Sequence, residues 1–68
     1  MMEFELTSEY IELIKLLKLV GLADTGGMAK QMVEDEEVLY NGNIDTRKRL
    51  KVRKGDIIQV NETTITII

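Results

Sequence analysis

The chain contains no cysteine and no histidine. Those two absences remove thiol nucleophiles, imidazole bases and Cys/His metal clusters together, and with them most hydrolase, transferase and metalloenzyme constellations. Ser8 has no histidine to activate it, so catalysis and a bound cofactor are not expected. Without disulfides or a zinc site, packing alone has to hold the 68 residues together. Aromatic side chains are limited to Phe4, Tyr10 and Tyr40. No apolar run approaches the roughly 20 residues of a membrane span, because Lys15 and Lys18 interrupt the longest one. The opening Met1-Met2-Glu3-Phe4-Glu5 is acidic where a signal peptide is basic, which points to a cytoplasmic protein.

What remains is the composition of a folding chain, 44% hydrophobic and 31% charged, long enough for one domain over residues 1–68. Nine Lys/Arg against twelve Asp/Glu give a net charge of −3, which taken alone argues against an anionic partner. The distribution reverses that argument. Residues 1–45 carry a net −7, and residues 46–68 carry +4, concentrated in Arg47, Lys48, Arg49, Lys51, Arg53 and Lys54.

The hydrophobic pattern predicts an α+β protein, two short helices packed on a small antiparallel β-sheet, in the order β-α-α-β-β-β-β. Met2, Phe4 and Leu6 alternate with acids as in a half-buried strand. The apolar positions from Tyr10 to Val20, broken at Glu12, Lys15 and Lys18, predict a helix buried over most of its circumference, Tyr10 included. Gly21 sits where a left-handed cap would end it, with Leu22 folding back on the last turn. Asp24 or Thr25 caps a second helix, with Met28, Ala29, Met32 and Val33 on one face, ending by Glu34. Val38–Tyr40, the hairpin signal Asn41-Gly42 and Asn43-Ile44 form a strand pair. Thr46–Lys54 is at least partly extended, Lys54-Gly55-Asp56 is a turn, and residues 57–60 and 63–68 are strands joined at Asn61-Glu62.

Two groups of residues suit an anionic partner. Arg47, Lys48, Arg49 and Lys51 form a cluster of the kind that neutralises phosphates, Arg through bidentate contacts and Lys as a point charge. Thr25-Gly26-Gly27 opens a helix whose N–H groups attract anions, although simple capping accounts for these residues as well. Lys30 lies one turn inward, and Gln31 beside it is able to reach sugar or base edges. The acidic run Glu34–Glu37 lacks the alternating ligands and central glycine of a calcium loop and reads as a solvated loop. Tyr40 shares a strand face with Val38 and is expected to be buried.

Residues 17–30, Leu-Lys-Leu-Val-Gly-Leu-Ala-Asp-Thr-Gly-Gly-Met-Ala-Lys, then Val38–Gly42, then Thr46–Asp56, resemble in this order the RNA-binding S4 domain family, most closely its small stand-alone YaaA/YbcJ-like members. The resemblance runs from about Tyr10 to Val60. It implies the alpha-L RNA-binding fold, in which a helix pair and the following hairpin present one basic surface to structured RNA, usually ribosomal. It also places Lys18 and Lys30 at motif positions on that surface. The expected function is therefore a non-enzymatic RNA-binding module, with ribosomal RNA or the ribosome as partner. The alternative is a protein-interaction module that keeps the fold and docks its acidic half on a basic ribosomal protein.

Overall fold

A computed structural model describes residues 2–68. Its elements are β1 (Met2–Phe4), β2 (Ile11–Glu12), α1 (Leu13–Leu19), α2 (Gly26–Glu34), β3 (Val38–Tyr40), β4 (Asn43–Ile44), β5 (Lys51–Val52), β6 (Ile57–Val60) and β7 (Thr63–Ile67). A five-stranded sheet runs in the order β1-β7-β6-β3-β4, and β2 pairs with β5 in a separate two-stranded ribbon. All pairs are antiparallel except β1 with β7. One core cluster joins Leu13, Leu16 and Leu17 of α1 and Ala29 and Val33 of α2 to Val38, Ile58, Val60, Ile65 and Ile67 of the sheet, with Ile11 and Val52 contributed by the ribbon. The α+β class with two helices on a sheet is as expected, but the sheet is only mostly antiparallel, with β1 parallel to β7, and the ribbon strands β2 and β5 are additional to the expected order.

Turn chemistry sets several of these boundaries. At the end of α1, Gly21 takes φ +85°, its N–H donates to Lys18 C=O and that of Leu22 to Leu17 C=O, both at 3.1 Å. These are the two bonds of a Schellman cap, which needs a left-handed residue where glycine stands. Thr25 caps α2, its hydroxyl accepting from Met28 N–H at 3.0 Å. Asn41 (φ 49°) and Gly42 (φ +93°) turn β3 into β4 with Tyr40 opposite Asn43, the geometry in which two successive positive φ values match strand twist.

The C-terminus of α2 repeats the Schellman cap with the wrong residue. Glu36 N–H donates to Val33 C=O and Glu37 N–H to Met32 C=O, but Glu36 holds φ 60°. An L side chain is strained there, and its carboxylate faces the negative end of the helix dipole. Glu36→Gly is expected to stabilise the protein by about 0.5–1 kcal/mol, raising the melting temperature by roughly 4 °C. An unchanged or lower thermal midpoint would show that no strain is stored at this cap.

The first helix is shorter than its apolar pattern suggests. Residues 11–12 leave it to pair with β5, Ile11 opposite Val52 and Glu12 opposite Lys51. Helix α1 then starts with its first N–H donated across the chain, from Leu13 to Leu50 C=O at 2.9 Å, which satisfies a group that a helix start leaves open. Tyr10 is consequently 38% exposed instead of buried, and Leu19 on the outer side of α1 is 59% exposed. Met28, expected on the packed face of α2, is also exposed.

Candidate nucleic-acid interface

The basic segment is a turn running into a short strand. Leu50 N–H closes the turn on Arg47 C=O at 3.2 Å and leaves Arg49 exposed on it. In the strand that follows, Val52 points into the core while Lys51 and Arg53 remain exposed, because successive side chains of an extended chain leave on opposite faces. Pairing of β5 with β2 and the Leu13–Leu50 hydrogen bond fix this row against the start of α1. Arg47, Arg49 and Lys51 line one open depression of ≈ 520 Å³ together with Tyr40 and Leu50.

The four residues of the expected cluster do not share one environment. Arg47 is held by Asp45, its Nη2 2.7 Å and its Nε 3.0 Å from that carboxylate's two oxygens, and its backbone N–H donates to the same carboxylate at 2.9 Å. The hydrogen bonds from Arg47 keep the Asp45 carboxyl below the usual range, and Asp45 pushes the guanidinium up in return. Arg47 still exposes 67% of its side chain against 12% for Asp45, although the Nε–Nη2 edge of its guanidinium is taken by that carboxylate. Lys48 turns the other way, to Glu34 at the end of α2, 2.9 Å from Nζ to Oε1. Arg49 and Lys51 have no carboxylate within ion-pair distance among the described residues.

On the ribbon's outer face, Lys51 Nζ lies 4.9 Å and the Arg53 guanidinium carbon 5.7 Å from the centroid of the Tyr10 ring. Cations over an aromatic face at these distances are attracted to its quadrupole. Neither Tyr10 nor Arg53 was singled out by the sequence pattern as a site residue. Alternation in Lys51-Val52-Arg53 was the available signal, but its partner strand lies 40 residues earlier.

Behind the basic row sits a carboxylate hub. Asp56 accepts from Arg53 N–H at 2.8 Å, the Tyr40 hydroxyl at 2.9 Å and Asn41 Nδ2 at 3.3 Å. Burial alone would raise this carboxyl, but those donors outweigh it and hold Asp56 below the usual carboxylate range. Its hydrogen bond pushes the Tyr40 phenol up. Asn41 is structural in the same network, its side-chain oxygen accepting from Ile57 N–H at 2.7 Å. Tyr40 is accordingly half-buried, its hydroxyl committed to Asp56.

The remaining residues singled out in the sequence lie on the helix pair. Lys18 is exposed in the last turn of α1, and Lys30 and Gln31 are exposed on α2. Gln31 Nε2 donates to Asp35 Oδ1 at 2.9 Å. Thr25, Gly26 and Gly27 form the start of α2, with Thr25 already engaged as its cap. None of these lines the depression around Tyr40, and the basic segment meets α2 through the Lys48–Glu34 ion pair at the end of that helix. No helix of the described residues is long and apolar enough to cross a membrane.

Comparison with known proteins agrees with this architecture. The S4 domain family model matches residues 4–68. The probable ribosome maturation protein RlbA of Bacillus subtilis (strain 168) is 38% identical over 53 residues, which cover 78% of this chain and 75% of RlbA. YbcJ of Escherichia coli (strain K12) is 30% identical over 59 residues, 87% of this chain and 84% of YbcJ. The solution structure of YbcJ from E. coli, described as revealing an αL motif involved in RNA binding, matches with a TM-score of 0.75, covering 97% of this chain and 85% of that one. The helix pair, the mostly antiparallel sheet and the matched sequence together show that the chain belongs to the S4 domain family.

Proposed function

We propose that this protein is a non-enzymatic cytoplasmic module that binds structured RNA, ribosomal or tRNA-like, through phosphate contacts on its basic surface. The observation that carries the reading is the exposed row Arg47, Arg49 and Lys51 around one depression, fixed to the start of α1 by β2–β5 pairing. A chain with net charge −3 has little reason to gather its cations on one rigid edge unless the partner there is anionic. The names of RlbA and the YbcJ structure support the same direction. Arg49 and Lys51 are the principal phosphate contacts. Arg47 is presented ready-oriented by Asp45, and Lys48 becomes available when Glu34 releases it. Lys18, Lys30 and Gln31, with the N–H groups of Thr25, Gly26 and Gly27, form the second contact area on the helix pair.

Titrating a fluorescent ribosomal RNA fragment with the protein over a range of salt tests this directly. Contact with about four phosphates is expected to give a slope of log K against log salt near −3, a loss of roughly 60-fold between about 50 and 200 mM. A salt-independent signal, or capture only of a basic ribosomal protein after nuclease treatment, would instead favour docking through the acidic half.

A further inference from the structure

The geometry points to Tyr10 as a stacking platform for a single unpaired base of the RNA, a deepening that rests on the RNA-binding reading above. Two independent features meet at this residue. Its ring lies beneath Lys51 and Arg53, and the same side chain lines an open depression of ≈ 600 Å³ between the segment leading into β2 and helix α1. Phe4, Ile11 and Leu19 contribute apolar surface there, and Glu5, Glu9 and Glu12 are also among the lining residues.

That combination sorts the parts of a nucleotide. Three carboxylates against the single cation Lys15 leave the lining net negative, which disfavours a phosphate inside the depression, while apolar side chains and an aromatic wall suit a neutral, flat base. Lys51 and Arg53 lie over the Tyr10 ring, so the base takes the side of the ring they leave open, with the two cations close enough to attract its flanking phosphate. Lys51 also lines the depression around Tyr40, so one residue links the phosphate row to the platform. A nucleotide bulged out of a helix tracking Arg47, Arg49 and Lys51 meets Tyr10 next. An exposed tyrosine needs no such surroundings to support a fold, since the cross-strand packing of the ribbon is already made by buried Ile11 and Val52.

The test compares two RNA probes, a fully paired hairpin stem and the same stem carrying one bulged nucleotide, each bound to wild type, Tyr10→Phe, Tyr10→Leu and Tyr10→Ala. Stacking on one ring is expected to make wild type prefer the bulged probe roughly tenfold. Tyr10→Phe keeps that preference, whereas Tyr10→Leu and Tyr10→Ala lose it and retain stem affinity. Because the readout is a ratio of two affinities for one protein, partial unfolding of a variant does not move it. Equal binding of both probes by wild type, or a preference that survives in Tyr10→Leu, overturns the platform. Binding of neither probe by wild type overturns the RNA-binding reading itself, and the platform with it.

Discussion

Replacing Arg49 and Lys51 together by alanine is expected to weaken RNA binding roughly 40-fold near 0.1 M salt and to reduce the magnitude of the salt slope by about 1.5. The size follows from counterion release, in which each phosphate neutralised contributes about 0.7–0.9 to the slope. These two residues are the informative pair because neither has an ion-pair partner among the described residues. Arg47→Ala is a less clean probe. It uncovers Asp45, whose carboxylate is otherwise neutralised at 2.7 Å, so lost attraction and new repulsion arrive together. Fold loss is not expected from the double variant, since both side chains are exposed and the inward residues of that stretch are Leu50 and Val52. Identical slopes for wild type and the double variant would remove both residues from the interface.

The second large effect concerns stability. Asp56→Ala is expected to destabilise the protein by about 2 kcal/mol, lowering the melting temperature by roughly 10 °C. In a small domain without disulfide or metal staples that is a large share of the total. One carboxylate serves the Arg53 N–H, the Tyr40 hydroxyl and the Asn41 amide, and its loss strands three donors on two segments. Tyr40→Phe, which removes a single donor and leaves the acceptor, is expected to cost only about 1 kcal/mol.

The same carboxylate predicts a pH dependence. Asp56 and Asp45 are both held below the ordinary carboxylate value in the folded protein. As pH falls, the unfolded chain therefore takes up protons first, and folding stability drops through and below about pH 4. Above that value their contribution is fully present. Denaturant melts from neutral pH downwards should show a shallower acid decline in Asp56→Ala than in wild type. Parallel curves would mean that Asp56 is not a source of the decline.

Features that depend on neighbouring residues were legible in the sequence. Gly21 with Leu22, a cap at Asp24 or Thr25 and Asn41-Gly42 all act within a few residues, and the structure places the turns as their local chemistry requires and selects Thr25 as the cap. The charge split between residues 1–45 and 46–68 was equally readable. The hydrophobic pattern gave the order β-α-α-β-β-β-β, to which the structure adds the two ribbon strands β2 and β5, and the S4 motif blocks pointed to the family that the matches show. Missed features are those in which distant segments compete. Tyr10-Ile11-Glu12 fits the helical pattern of the residues after it, but pairing with Lys51-Val52 removes it from the helix. A two-residue strand is too short to show a period of its own. The partition of the basic cluster was hidden for the same reason. Nothing in Arg47-Lys48-Arg49 says that its first member folds onto Asp45 and its second onto Glu34. Asp56 read as one member of a turn, because two of its donors come from the hairpin about 15 residues earlier.

The parallel pairing of β1 with β7 shapes how the chain reaches this state. Met2 lies opposite Ile65, Glu3 opposite Thr66 and Phe4 opposite Ile67, so the ladder joins residues on either side of nearly the whole sequence. Closing so long a loop requires the intervening segments to be ordered first or its entropy to be overcome at once, and topologies with such distant contacts fold slowly. The hairpin of β6 and β7 is local and forms its bonds without β1. During that interval one edge of β7 is open to pairing with another molecule. Thr64 and Thr66 alternate with buried Ile65 and Ile67 along it, keeping one face of the waiting strand polar while the first residues of the chain have yet to cover its edge.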